Sequence, residues 1–153
     1  MMIITRIAAE ALIFLYLIYL SVDDIRFKRV ENDALLLMSP LVLFRLTLDI
    51  ISGSWMRLLS LILGAVFGFG LMLIAALITH NGVGGGDIKL AGILGLLCGL
   101  DGMILLLLVA SLAAVTYGLT AKLVTKGKIS RIPFVPFMRA GYILPALINI
   151  FLK

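Results

Sequence analysis

Six stretches of the chain are almost wholly apolar: residues 7–22, 34–51, 55–79, 87–100, 103–121 and 137–152. Polar residues gather between them, in Asp23–Asp33, Ser52–Ser54, His80–Gly86, Asp101–Gly102 and Lys122–Pro136. A helix of about 20 apolar residues crosses a bilayer, so a chain of this length has room for about six passes. The pattern predicts an all-α polytopic bundle of six transmembrane helices, forming one domain over residues 1–153. The first stretch opens with Arg6 and Glu10 and shows no small-residue cleavage site before Asp23, which predicts an uncleaved helix. The second is interrupted by Pro40 and carries Arg45; Asp49, four residues on, is placed to pair with it along a helix face. Gly64 with Gly68, and Gly95 with Gly99, form GxxxG spacings that let membrane helices approach closely.

Composition strengthens this picture. The chain is 63% hydrophobic and 14% charged, against roughly 45–50% apolar for an ordinary soluble domain. A single cysteine, Cys98, and a single histidine, His80, exclude an internal disulfide and any His- or Cys-rich metal cluster. The net charge of +5 bears on orientation in the membrane rather than on a nucleic-acid partner. Arg26, Lys28, Arg29, Lys89, Lys122, Lys126, Lys128, Arg131 and Arg139 fall on one side of the six predicted passes, and Arg6, Arg45, Arg57 and Lys153 on the other. This asymmetry predicts a protein of the cytoplasmic membrane with its first, third and fifth connections in the cytoplasm and both termini outside.

The chemistry rests on Gly84-Gly85-Gly86-Asp87. An ionisable group at the edge of an apolar helix marks a functional site by default. Fourteen residues separate Asp87 from Asp101, about 21 Å of helix against a hydrocarbon core of about 30 Å, which puts Asp87 below the cytoplasmic interface. Asp24 is a second acid on the same side. Two carboxylates held close share one proton across a wide pH range. The ionised one takes a proton from water as it attacks a peptide carbonyl; the other donates to the carbonyl oxygen. Such a pair needs neither metal nor cofactor. Simpler roles compete with it: an N-cap for Asp87, and a solvated charge beside Arg26 or Lys28 for Asp24. The glycines are no phosphate loop, because GK[ST] does not follow them.

The residues around these two acids resemble those of a known family. Gly84-Gly85-Gly86-Asp87-Ile88-Lys89 resembles the GxGDxK motif of the aspartic type IV prepilin peptidases. Asp24-Ile25-Arg26-Phe27-Lys28-Arg29-Val30-Glu31-Asn32 resembles their first motif, an Asp followed by basic residues and Ile-Pro-Asn. Ile132-Pro133-Phe134-Val135-Pro136-Phe137 resembles their IPFGPF-like stretch, with Glu31 and Val135 departing from the usual proline and glycine. The resemblance implies a short, peptidase-only enzyme without the N-methylating part, as found with tight-adherence pilus systems and archaeal preflagellin peptidases. It implies a prepilin-like substrate with a short basic leader, cut after glycine at the cytoplasmic face. Asp24 and Asp87 are then the catalytic pair. Supporting roles fall to Gly84 and Gly86 in backbone approach, to Lys89 beside Asp87, to Asn32 as cap of the second helix, and to Pro133 and Pro136 in shaping the last loop. Two rivals remain: a presenilin-like intramembrane protease, whose PAL triplet is matched by Pro145-Ala146-Leu147, and a non-enzymatic scaffold or proton-coupled carrier.

Overall fold

Every apolar stretch folds as helix. Five helices are present among the described residues: α1 (Met2–Phe27), α2 (Asn32–Ser52), α3 (Trp55–Ile78), α4 (Gly85–Val124) and α5 (Val135–Phe151). The computed structural model describes residues 2–27, 30–52, 55–79, 83–124 and 133–151. Lys28, Arg29, His80, Lys126, Lys128, Arg131, Ile132 and Lys153 lie outside these. α1 is longer than the apolar pattern predicts, and Asp23 and Asp24 fall in its last turns rather than in a connection. No glycine or proline interrupts Asp23–Phe27, and Arg26 in the last turn complements the negative end of the helix dipole.

The fourth and fifth predicted segments are not separated at Asp101–Gly102. They form one assigned helix, α4, broken instead at Gly99, where φ is 75° and ψ is 179°. That φ is disfavoured for residues with a Cβ and is open to glycine. The break frees the Leu100 amide, which donates to the Ser60 hydroxyl of α3 at 3.1 Å. Irregular backbone survives at membrane depth only where protein satisfies it, and Ser60 does so here.

Both halves of α4 lie along α3. Gly64 meets the backbone of Gly95 and Gly99, and Gly68 meets both Ala91 and Met103. One half therefore runs antiparallel to α3 and the other parallel to it. The predicted GxxxG pairs form this seam: a Cβ at Gly95 would overlap the Gly64 carbonyl, and one at Gly64 would lie 2.5 Å from the Gly95 oxygen. Next, α5 returns antiparallel along the second half, with Gly141 on Leu106 and Pro145 on Gly102.

The bundle is apolar outside and selectively polar inside. Ile51, Leu77, Ile78 and Leu123 are 70–81% exposed, whereas Glu10, Asp24, Arg45 and Asp49 are at most 4% exposed. In water that distribution would be strongly unfavourable; against lipid tails it is the expected one. Among the described residues four helices are long and apolar enough to cross a membrane, and the chain is an integral membrane protein.

All of these buried charges except Asp24 form one cluster. Arg45 pairs with Asp49 at 2.5 Å, as the four-residue spacing predicts. Asp49 also receives Arg57 of α3 at 2.8 Å and Arg6 of α1 at 3.9 Å. Glu10 of α1 accepts from Arg45 Nε at 2.9 Å through one oxygen and from the Tyr142 hydroxyl of α5 through the other.

Candidate active site

At the opposite end of α1 from this cluster, Asp24 is 3% exposed. Its Oδ2 accepts a hydrogen bond from the Val135 amide at 3.0 Å. Phe134 is the N-cap of α5, since its carbonyl accepts from Met138 N at 3.1 Å. Val135 is then the first helical residue, whose amide has no acceptor within its own helix. A carboxylate near the C-terminus of α1 thus meets the N-terminal, positive end of α5, where negative charge is favoured.

The glycine-rich segment opens α4 one turn before Asp87. Gly84 is the cap: its carbonyl accepts from Asp87 N at 3.1 Å and Ile88 N at 3.3 Å. Asp87 is therefore the third helical residue and not the N-cap, and its half-buried carboxylate folds back over Gly84. A Cβ at Gly84 would lie 3.2 Å from Asp87 Oδ2. Both acids consequently meet helix N-termini, Asp24 against the first turn of α5 and Asp87 within the first turn of its own helix.

The segment after α1 binds the two halves of the site together. A Cβ at Gly86 would lie 2.5 Å from the Val30 carbonyl oxygen and 2.6 Å from Val30 Cβ, so glycine is what lets this backbone pass. Two residues further on, Asn32 Oδ1 accepts from Lys89 Nζ at 2.7 Å. Asn32 is the first helical residue of α2 rather than its cap, because the Glu31 carbonyl accepts from Leu35 N at 3.3 Å, and its side-chain oxygen serves the bond to α4. The stretch from Asp24 to Asn32 therefore touches α5 through its aspartate and α4 through Val30 and Asn32.

The sequence pattern gives both prolines to the last loop, but Pro136 falls inside α5. Pro133 precedes α5, and Pro136 occupies its first turn, where a missing amide costs no helical hydrogen bond. Sequence reasoning does not find Val135 or Val30, because both act through backbone atoms that no side-chain pattern reveals. The departure from glycine at 135 leaves the Asp24 bond intact for the same reason. Pro145 of the PAL triplet packs on Gly102, ten residues along α5 from Val135, about 15 Å of helix away. It serves helix packing there.

A profile of the type IV leader peptidase family matches residues 11–119. The chain is 37% identical over 134 residues to the prepilin leader peptidase/N-methyltransferase of Bacillus subtilis, covering 86% of this chain and 52% of that protein. It is 31% identical over 138 residues to the protein of the same description in Escherichia coli, covering 85% of this chain and 58% of that one. The chain belongs to the type IV leader peptidase family. It spans little more than half the length of these curated relatives. No solved structure matches it.

Proposed function

We propose that the chain is an aspartic endopeptidase that removes the leader of type IV prepilin-like proteins at the cytoplasmic face of the cytoplasmic membrane. The observation that carries this reading is the assembly of three separate segments at one end of the bundle. Asp24 is fixed on the Val135 amide, and Val30 and Asn32 lock its segment to Gly86 and Lys89 beside Asp87. In this reading the chain crosses the membrane six times, α4 supplying two of the passes, and both termini lie outside.

Asp24 and Asp87 divide the work of peptide hydrolysis. The ionised carboxylate takes a proton from water as the water oxygen bonds to the scissile carbonyl carbon. The protonated one gives its proton to the carbonyl oxygen, and collapse of the tetrahedral adduct breaks the C–N bond as the amine nitrogen is protonated. A basic leader suits the cytoplasmic headgroup region, and the apolar part of the substrate suits the lipid beside the site.

Purified protein in lipid vesicles tests the reading directly, with a prepilin-like peptide carrying a basic leader and a glycine before the cut. Wild type is expected to release the leader. Asp24→Asn and Asp87→Asn are each expected to lose at least about 100-fold in rate, the lower range for a missing acid or base. Wild-type rates in either variant would remove that residue from the chemistry. No cleavage by wild type in any leader-bearing substrate would favour the carrier reading.

A further inference from the structure

Glu10 is the acid that joins the buried charge cluster to α5. Asp49 gathers the guanidiniums of Arg45, Arg57 and Arg6, and so links α1, α2 and α3. Glu10 instead uses one oxygen on Arg45 of α2 and the other on Tyr142 of α5. Those two helices are also the ones α1 meets further along its length. Tyr16 donates to the Ala34 carbonyl of α2 at 2.6 Å, and Asp24 accepts from Val135 of α5.

Between these levels α1 presents Ile13, Leu17 and Leu20 to the interior, each at most 1% exposed. Apolar contacts of this kind choose an axial position poorly in a bilayer, because lipid tails are as apolar as leucine and sliding exposes nothing to water. Polar pairs are the elements that specify register. A slip of α1 by one helical turn moves it about 5.4 Å, which sets another leucine near the place of the last but carries Asp24 out of hydrogen-bond reach of Val135.

We propose that Glu10 is a positioning residue for the site: through Arg45 and Tyr142 it sets the height of α1 against α2 and α5, and so holds the Asp24 carboxylate on the Val135 amide. Fourteen residues separate Glu10 from Asp24, about 21 Å of helix, so Glu10 acts without touching substrate. Its catalytic consequence rests on the assignment of Asp24 above; its structural consequence does not.

The Val135 amide supplies a readout independent of activity. As the first helical amide of α5 it has no acceptor in its own helix, so protection of this amide from exchange reports the Asp24 bond. Hydrogen exchange at single-residue resolution in lipid nanodiscs, on wild type, Glu10→Leu, Glu10→Gln and Tyr142→Phe, gives the test. Glu10→Leu is expected to speed exchange at Val135 at least about ten-fold while amides of α3 between Leu61 and Met72 keep wild-type protection. Glu10→Gln, which retains groups for both bonds, is expected to stay within about three-fold of wild type. Turnover of Glu10→Leu should fall with KM unchanged, the mark of a lost transition-state contribution. Wild-type exchange at Val135 in a folded Glu10→Leu overturns the proposal. If that variant loses protection in α3 as well, Tyr142→Phe decides: faster exchange at Val135 alone supports the proposal, and unchanged exchange overturns it. Cleavage persisting in Asp24→Asn would overturn the catalytic assignment only and leave the exchange result standing.

Discussion

A carboxylate near the C-terminus of a helix faces the negative end of that helix's dipole. Asp24 escapes this by leaning onto the first amide of α5, so two mismatched helix ends, one acid and one orphan donor, satisfy each other. Gly86 shows the opposite economy of atoms, since it contributes only space, through which the Val30 backbone passes. Gly86→Ala should therefore separate Val30 from α4 and misplace Asp87 relative to Asp24. A fall of about ten-fold or more in turnover at temperatures where the variant stays folded is the expected result, because small displacements of catalytic groups are costly. Steady-state cleavage beside thermal unfolding checks it. The two acids stand out because charge is conspicuous in an apolar chain, and the resemblance to the family's first motif begins at Asp24. Their partners do not, since the Val135 amide and the Val30 carbonyl are backbone groups that every residue except proline's amide shares.

Helices α3 and α4 show what spacing reveals and where it stops. Four-residue glycine pairs announced a close approach, and Gly64 and Gly95 make it. Gly95→Ala should destabilise the protein by about 1–3 kcal/mol, the usual cost of forcing extra volume into a packed contact. Thermal unfolding in a single detergent would show it as a lowered midpoint. The turn was misplaced by two residues because polarity pointed to Asp101–Gly102, whereas the backbone reverses at Gly99, a glycine already assigned to helix packing. One residue serves both purposes, and sequence spacing cannot distinguish them. The Arg45–Asp49 pair was readable within α2, but Glu10 and Arg57 join it from other helices, where only tertiary structure brings them.

Viewed whole, the molecule gathers its two acids and the bonds around them at one end and its ion pairs toward the other. In the proposed orientation the acid-bearing end faces the cytoplasm. Lys89 is exposed at that end, whereas the natural Cys98 is buried. Lys89→Cys should accordingly react with a membrane-impermeant maleimide in inside-out vesicles and stay unlabelled in intact cells; the reverse pattern would invert the orientation. The apolar pattern carried the helical architecture from the start, because each rod must be apolar on the face that meets lipid. Ser60 adds a matter of timing. It receives the Leu100 amide that the reversal at Gly99 sets free, and an amide without an acceptor in hydrocarbon costs several kcal/mol. During synthesis α3 leaves the ribosome before α4, so the acceptor is already in the bilayer when the hairpin that needs it arrives. The order of residues along the chain is thus also a workable order of assembly.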